Sequence, residues 1–271
     1  MTELLHWLET SLTAGKITEM DVVKQACSFR AKQDGFMGES FGTIAGYNAN
    51  GAIVHYSVTP ESNATIKPQG MLLIDSGGQY MGGTTDLTRT IALGTITQQA
   101  KIDYTCVLKG HIALARAAFP KGTRGVQLDA VARQELWKFG LNYGHGTGHG
   151  VGCFLNVHEG PQVISVQDNG IAIEPGMLTS NEPGVYRSGK YGIRIENLVL
   201  AIDKEVNDLG EFYQFKTMTL CPIDITPVVI EMLTPDEILW INQYHHEVYT
   251  KLLPFLSAEL GEWLKNKTLK I

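Results

Sequence analysis

Hydrophobic residues recur at helical spacing in several parts of the chain. The first run is made of Leu4, Leu5, Leu8 and Leu12. A second begins near Thr18, where Thr-Glu-Met-Asp resembles a capping box. The same period returns over residues 97–119 and 128–139, and Thr234-Pro235-Asp236-Glu237 is a strong start signal for a C-terminal helix. The pattern therefore predicts helices at both ends of the chain and in its middle.

Shorter apolar stretches between these helices are typical of β-strands. Residues 71–76 (MLLIDS) and 79–93 flank Gly77-Gly78 and predict a hairpin, and residues 52–58 (AIVHYSV) predict another strand. In residues 191–202 (YGIRIENLVLAI), Arg194 and Glu196 lie two apart, so they project from one face of the predicted strand. Further strands are predicted near 177–180, 212–219 and 225–230.

Composition and charge narrow the class of protein. The 271 residues are 44% hydrophobic and 18% charged, as expected of a soluble globular chain. A net charge of −6 without a basic run argues against a nucleic-acid partner. The four cysteines form no CxxC pair, and we find neither a membrane-spanning apolar run nor a signal peptide. We therefore expect a cytoplasmic protein without membrane contact.

Four carboxylates fall in or beside the apolar strands: Asp75, Asp86, Glu182 and Glu196. The two aspartates alone are equally consistent with ordinary strand ends. An isolated buried carboxylate costs several kcal/mol, however, so such groups must be paired, protonated or bound to metal. Arg194 can offset only one of the four charges, whereas two divalent cations sharing a water or hydroxide would balance most of the remainder.

Histidines and glycines are concentrated in residues 142–160, which hold His145, His149, His158 and six glycines. Imidazoles on closely approaching backbone indicate a site. One histidine with four carboxylates is an oxygen-rich donor set that suits Mn²⁺, with Co²⁺ and Zn²⁺ as alternatives. His55 by itself reads as a structural strand residue. His111 reads as a packed or solvated helix residue, and His245 as one on a helix surface.

Five segments in this order closely resemble motifs of the pita-bread metallopeptidases (family M24): IDSGGQY, GGTTDLTRT, HGTGHGVGCFLNVHEGP, NEPGVY and GIRIEN. Within this family the chain is similar to the Xaa-Pro aminopeptidases (aminopeptidase P) of the larger cytosolic type. The resemblance implies an α/β fold, with a curved, largely antiparallel sheet and helices on its outer face. It also implies that residues 1–271 are one catalytic domain without the N-terminal domains of full-length relatives.

The resemblance also implies roles for individual residues. The metal ligands would be Asp75, Asp86, His149, Glu182 and Glu196, with Asp86 and Glu196 bridging two ions. Glu182 would also relay a proton, and Arg194 would hold ligand carboxylates in place. The substrate-binding histidines would be His55, His145 and His158. Methionine aminopeptidases would favour His145 as the ligand, but the longer match favours His149.

The activity implied is hydrolysis of the bond between an N-terminal residue and a following proline, by a homodimeric enzyme acting on peptides with proline in second position. Prolidase, which cleaves only Xaa-Pro dipeptides, is the nearest alternative, and methionine aminopeptidase is a more distant one. Two further alternatives are a metal-binding but inactive fragment and a metal-free scaffold protein of the same fold.

Overall fold

The computed structural model describes the backbone of residues 1–271 and every side chain except that of Ala14. The α-helices are α1 (Thr2–Ala14), α2 (Glu19–Ala31), α3 (Gln98–Ala115), α4 (Gly125–Trp137), α5 (Pro235–Leu252) and α6 (Ala258–Lys267). The strands are β1 (Ile17–Thr18), β2 (Phe36–Glu39), β3 (Ile44–Tyr47), β4 (Thr65–Ile66), β5 (Met71–Ser76), β6 (Gly78–Tyr80), β7 (Gly83–Thr84), β8 (Leu87–Ala92), β9 (Ala118–Pro120), β10 (Gly148–Gly150), β11 (Glu159–Ile164), β12 (Leu178–Asn181), β13 (Gly184–Arg187), β14 (Tyr191–Arg194), β15 (Asn197–Asn207) and β16 (Gly210–Thr217).

The helix starts follow the capping signals of the sequence. The Thr18 side chain accepts a hydrogen bond from the Asp21 amide, and the Asp21 carboxylate accepts one from the Thr18 amide. Thr234 and Glu237 form the same reciprocal pair at the start of α5, with Pro235 in the first helical turn. Both predicted helix starts are confirmed. None of the described helices combines the length and apolarity that crossing a bilayer requires.

Antiparallel pairing organises the strands. One three-stranded sheet has the order β3-β5-β8, with Asp75 opposite Thr88. A six-stranded sheet has the order β11-β10-β12-β15-β16-β9. The hairpin β13-β14 lies between the two, since β14 is adjacent in sequence to β15 and close to both β5 and β8. The predicted hairpin is confirmed in β5 and β8, although residues 78–84 form β6 and β7 in place of a simple turn.

Helices pack on these sheets through separate apolar cores. Helices α1 and α2 bury Leu4, Leu8 and Val22 against β3 and β5. Helix α3 is buried along most of its length, between α5 and the β13-β14 hairpin. The result is a mixed α/β fold with antiparallel sheets, as predicted.

Two strand predictions are wrong, and a third is interrupted. Residues 53–55 form a bend and a turn after a 3₁₀ helix (Asn48–Ala52), and residues 56–58 have no regular structure. Residues 225–230 contain a turn at 226–227 and the first residue of a 3₁₀ helix (Ile230–Met232). The predicted strand 191–202 is divided into β14 and β15, with Glu196 between them. The apolar composition of residues 52–58 favours a strand, but β-propensity depends on an available pairing partner. This segment is held instead by side-chain hydrogen bonds to Glu19.

Candidate metal centre

Strand ends carry the acidic residues into one cavity. Asp75 lies near the end of β5, and Asp86 directly precedes β8. His149 is the middle residue of β10, Glu182 follows β12, and Glu196 lies between β14 and β15. All five side chains line a cavity of about 750 Å³, which is also lined by His55, His145, His158 and Arg194. The structure thus brings together every site residue that the sequence predicts.

Three of the predicted metal ligands form a tight group that includes His149. Donor atoms of Asp86, His149 and Glu196 all lie within 4.8 Å of one another. The Nε2 atom of His149 is 3.4 Å from Asp86 Oδ2 and 3.4 Å from Glu182 Oε1. Asp75 is outside this tight group, but it lines the same cavity and accepts a hydrogen bond from Arg194.

The partner of Nε2 distinguishes the two candidate histidine ligands, because Nδ1 of each lies close to the carbonyl oxygen of the next residue, at 2.7 Å in His145 and 2.9 Å in His149. His149 Nδ1 lies 2.9 Å from the Gly150 carbonyl oxygen, so an N–H there donates to it and leaves Nε2 facing the carboxylates. His145 instead places Nε2 2.8 Å from the Tyr186 hydroxyl. The geometry therefore favours His149 over His145 as a metal ligand.

Arg194 links the acidic residues to their surroundings. It is 2% exposed and donates from Nη2 to Asp75 Oδ2 at 2.6 Å and from Nη1 to the Tyr186 hydroxyl at 2.6 Å. Thr88 accepts a hydrogen bond from Arg194 Nε and donates one to Glu196 Oε2 at 2.8 Å. Asp75 Oδ1 is buried and has no hydrogen-bond partner among the described residues. A buried, unpartnered carboxylate oxygen facing this cavity is suited to a cation.

The electrostatics show that the cluster lacks positive charge. Burial raises the pKa of Asp86, and burial together with the neighbouring carboxylates raises the pKa of Glu196 well above its ordinary value. Burial also raises the pKa of Glu182 to about 7. Burial alone would lower the pKa of His149, but Asp86 and Glu182 raise it to about 9. The raised pKa values of all four groups show that this environment favours added positive charge, so the donor set fits two divalent ions.

The other histidines lie around the rim and wall of the cavity. His55 and His158 are exposed, and the ring of His158 lies 4.1 Å from that of His149 between centroids. Partial removal of its ring from water, together with the nearby His149 and His55, lowers the pKa of His158, and burial lowers the pKa of His145 to about 4. A neutral imidazole can donate or accept a hydrogen bond, which is what binding and orienting a peptide requires.

Sequence reasoning missed several residues that shape the centre. Thr88 joins Arg194 to Glu196, Tyr186 joins Arg194 to His145, and Ser180 Oγ donates to Glu182 Oε1 at 3.0 Å. The fully buried Arg89 donates to the carbonyl oxygens of Glu196 and Pro222. Thr88 and Arg89 follow Asp86 within a strand of ordinary β-formers. The arginine in this apolar strand could have indicated such a role, because a buried guanidinium needs several hydrogen-bond acceptors around it.

Comparison with known proteins agrees with this geometry. Residues 1–203 match the model of metallopeptidase family M24, and residues 211–271 match the C-terminal region of peptidase M24. Aminopeptidase P2 of Arabidopsis thaliana is 47% identical over 268 residues, which cover 97% of this chain and 38% of the relative. A probable Xaa-Pro aminopeptidase P of Tuber melanosporum is 44% identical and is covered over 45% of its length. The chain thus spans less than half the length of these curated relatives.

Solved structures show the same fold. An X-prolyl aminopeptidase of Caenorhabditis elegans, described as a cytosolic enzyme with a di-nuclear active site, has a TM-score of 0.95 and 38% identity, over all of this chain and 45% of its own. An Xaa-Pro dipeptidase of Bacillus anthracis has a TM-score of 0.68 and 28% identity, over 82% of this chain and 58% of its own. The pita-bread fold expected from the sequence is therefore confirmed.

Proposed function

The chain belongs to metallopeptidase family M24, and on that basis we propose that it is the catalytic part of an Xaa-Pro aminopeptidase. The observation that carries the proposal is the convergence of four carboxylates and His149 in one cavity with an excess of negative charge. The similarity to the nematode aminopeptidase supports the same reading, because it extends over the whole chain. We propose that residues 1–271 act as a single catalytic domain.

The proposed cofactor is a pair of divalent ions, held by Asp75, Asp86, His149, Glu182 and Glu196. When bound, such ions lower the pKa of a water molecule and polarise the carbonyl group that it attacks. The oxygen-rich donor set favours Mn²⁺ over softer ions, with Co²⁺ and Zn²⁺ as alternatives. Arg194 keeps Asp75 in place through its 2.6 Å hydrogen bond, and Thr88 does the same for Glu196.

The chain's own side chains would carry the proton and position the peptide. Glu182 accepts a proton from the attacking water and returns it to the leaving proline nitrogen. His55, His145 and His158 would bind the peptide backbone, and an N–H from His55 or His158 would stabilise negative charge on the scissile oxygen. The hydroxyl of Tyr186 lies 2.8 Å from His145 Nε2, which fixes the orientation of that ring.

Peptide hydrolysis tests this proposal. The chain, loaded with Mn²⁺, should release the first residue of an Xaa-Pro-Xaa tripeptide at least tenfold faster than it cleaves an Xaa-Pro dipeptide or Met-Ala-Ser. Preference for the dipeptide would identify a prolidase instead. Binding of two ions without hydrolysis of any of these peptides would identify a metal-binding but inactive fragment. Metal content is measured by elemental analysis of protein purified without added metal.

We also propose a cytoplasmic location and a homodimer. The location is supported by the cytosolic description of the nematode relative. The dimer is an expectation from the resemblance to the family. Light scattering coupled to size-exclusion chromatography would decide it, since a chain of 29.8 kDa would give twice that mass.

A further inference from the structure

The segment that carries His55 needs an anchor outside the sheets. It begins in the 3₁₀ helix Asn48–Ala52 and continues through turns to β4. His55 lies in one of these turns, exposed at the wall of the cavity. Because the segment lacks a strand partner, its position depends on hydrogen bonds from elsewhere in the molecule.

Glu19 supplies that anchor. It is the first residue of α2, and its side chain is fully buried. Its carboxylate accepts hydrogen bonds from the amide of Tyr47 at 2.6 Å and from the amide of Ala64 at 2.9 Å. These two residues stand at the beginning and the end of the segment. One side chain therefore holds the two ends of the segment together.

The same carboxylate also holds the interior of the loop. The Nδ2 of Asn50 lies 3.0 Å from each of its oxygens, and the Tyr56 hydroxyl donates to Oε2 at 2.9 Å. Tyr56 directly follows His55, is 5% exposed, and also contacts Ser62 Oγ at 2.8 Å. The link from Glu19 to His55 thus passes through one covalent neighbour.

The chemistry of these partners requires an acceptor-only side chain. The two amides, the Asn50 NH₂ and the Tyr56 hydroxyl all donate to Glu19. A glutamine of the same size would present an NH₂ group to some of these donors and leave them unsatisfied. The position of Glu19 at the start of α2 also favours a carboxylate, since the helix dipole is positive there.

A second contact fixes the other side of the segment. Gly51 lies so close to Gly192 that a Cβ built on Gly192 would be 1.7 Å from the Gly51 carbonyl oxygen. Gly192 belongs to β14, the strand that ends with Arg194. The loop is therefore held between Glu19 and the strand that carries Arg194 into the cavity.

We propose that Glu19 is a positioning residue for peptide hydrolysis, which holds the His55 turn at the cavity wall. This inference rests on the proposed function, because it gives His55 a role in binding peptide. Glu19 itself does not line the cavity and acts only through Asn50, Tyr56 and the backbone.

The first experiment compares Glu19→Gln with the wild-type chain under saturating Mn²⁺. We expect kcat/KM for an Xaa-Pro-Xaa peptide to fall about tenfold, which corresponds to about 1.4 kcal/mol, while the metal content is unchanged. Glu61→Gln makes the same chemical change at an exposed position of the same segment and should leave kcat/KM unaltered. Equal activity of Glu19→Gln and wild type, or loss of metal from Glu19→Gln, would overturn the proposal.

The second experiment asks whether Glu19 acts through His55. In the double variant Glu19→Gln/His55→Ala, kcat/KM should equal that of His55→Ala alone, because the positioned group is already absent. If the losses of kcat/KM from the two single substitutions instead multiply in the double variant, Glu19 has a merely structural role and the inference is contradicted. Tyr56→Phe removes one hydrogen bond while retaining the carboxylate, and should lower kcat/KM in the same direction even if Glu19→Gln folds poorly.

Hydrogen exchange separates this inference from the proposed function. Amides of residues 53–63 should exchange faster in Glu19→Gln, whereas those of α3 should keep their protection. Unchanged exchange in residues 53–63 would refute the anchoring role. A wild-type chain that cleaves no proline peptide would refute the proposed function, and the exchange result would still decide whether Glu19 holds the turn.

Discussion

At the scale of single residues, the cavity holds more acidic groups than its own cations balance. Arg194 pairs with Asp75, and His149 lies 3.4 Å from Asp86 and from Glu182. Glu196 receives only the neutral Thr88 hydroxyl. A buried carboxyl in this position is stabilised by an external cation or by a proton. Substitution of Glu196 should therefore have opposite effects on the stability of the metal-free and the metal-bound protein.

Replacing Glu196 by glutamine should therefore stabilise the metal-free protein. The raised pKa of Glu196 means that the folded state binds this proton more tightly than the unfolded chain does, so the carboxyl costs stability as pH rises above its ordinary pKa. We expect Glu196→Gln to raise the free energy of unfolding by about 1–3 kcal/mol in chelator. Urea unfolding at pH 7 measures it, with the exposed Glu205→Gln as control. A less stable metal-free variant would contradict the excess of negative charge.

The same substitution should remove the stabilisation that metal confers on the wild type. An ion present at 100 times its dissociation constant stabilises a protein by about 2.7 kcal/mol, which for a chain of this size is roughly 5–10 °C in Tm. We expect that shift for wild type and Glu205→Gln on adding Mn²⁺. Glu196→Gln should show less than a third of it. A full shift in the variant would exclude Glu196 from the ligand set.

At this scale the sequence predicted the metal-binding candidates but not the residues that hold them in place. It identified the acidic residues because a carboxylate inside an apolar strand is conspicuous, and the family motifs added His149. It did not identify Thr88, Tyr186 or Glu19, whose roles depend on residues distant in the chain. It also placed His245 on a helix surface, whereas the structure buries it completely. Helical periodicity shows that a face is apolar but does not show which neighbour accommodates a polar ring.

At the scale of elements, close backbone contacts between distant segments determine secondary structure that the local hydrophobic pattern does not predict. The stretch AIVHYSV has strand composition, yet residues 53–55 form a bend and a turn and residues 56–58 have no regular structure. The adjacent Gly46, Gly51 and Gly192 allow β3, the 3₁₀ helix and β14 to meet without side chains between them. The hairpin β5-β8 was predictable because its two six-residue strands are apolar and close together in the sequence. The β14 contact joins residues more than a hundred positions apart.

Adding one methyl group at this contact should be costly. In Gly192→Ala the new Cβ would lie 1.7 Å from the Gly51 carbonyl oxygen, so backbone must move. We expect a loss of about 3 kcal/mol of unfolding free energy, measured by urea denaturation. Gly82→Ala adds the same methyl group where no atom lies within 4 Å, and should change stability by less than about 0.5 kcal/mol. Equal stability of the two variants would show that the glycine contact is not needed.

At the scale of the whole molecule, the proposed metal ligands come from both halves of the chain. Asp75 and Asp86 come from the three-stranded sheet and its edge, while His149 and Glu182 come from the six-stranded sheet and its end. Arg89 adds a metal-independent link, since it extends from β8 to the carbonyl oxygens of Cys221 and Glu196. The segment beside Cys221 in turn packs on α5 through His245, which accepts a hydrogen bond from the Ile223 amide.

The buried His245 makes this junction sensitive to acid. Burial, aided by the charge of Arg89, lowers its pKa to about 4, against about 6.5 in an unfolded chain. Between these values the unfolded state binds more protons, so the contribution of His245 is complete above pH 6.5 and is lost as pH falls towards 4. The slope for one such group approaches 1.4 kcal/mol per pH unit. Burial lowers the pKa of His111 as well, to about 3, so the wild-type slope has more than one source.

Comparison of variants isolates the contribution of His245, because the acidic cluster titrates equally in each. His245→Gln keeps an acceptor for the Ile223 amide but does not titrate, so the free energy of unfolding between pH 6.5 and 5 should fall less steeply than in wild type, by about 1 kcal/mol per pH unit. His246→Gln changes the exposed neighbour and should retain the wild-type slope. Urea denaturation in chelator at half-unit intervals of pH gives both slopes. Identical slopes for all three proteins would mean that His245 is protonated in the folded state, and hence that the junction between α5 and residues 221–223 opens to solvent in acid.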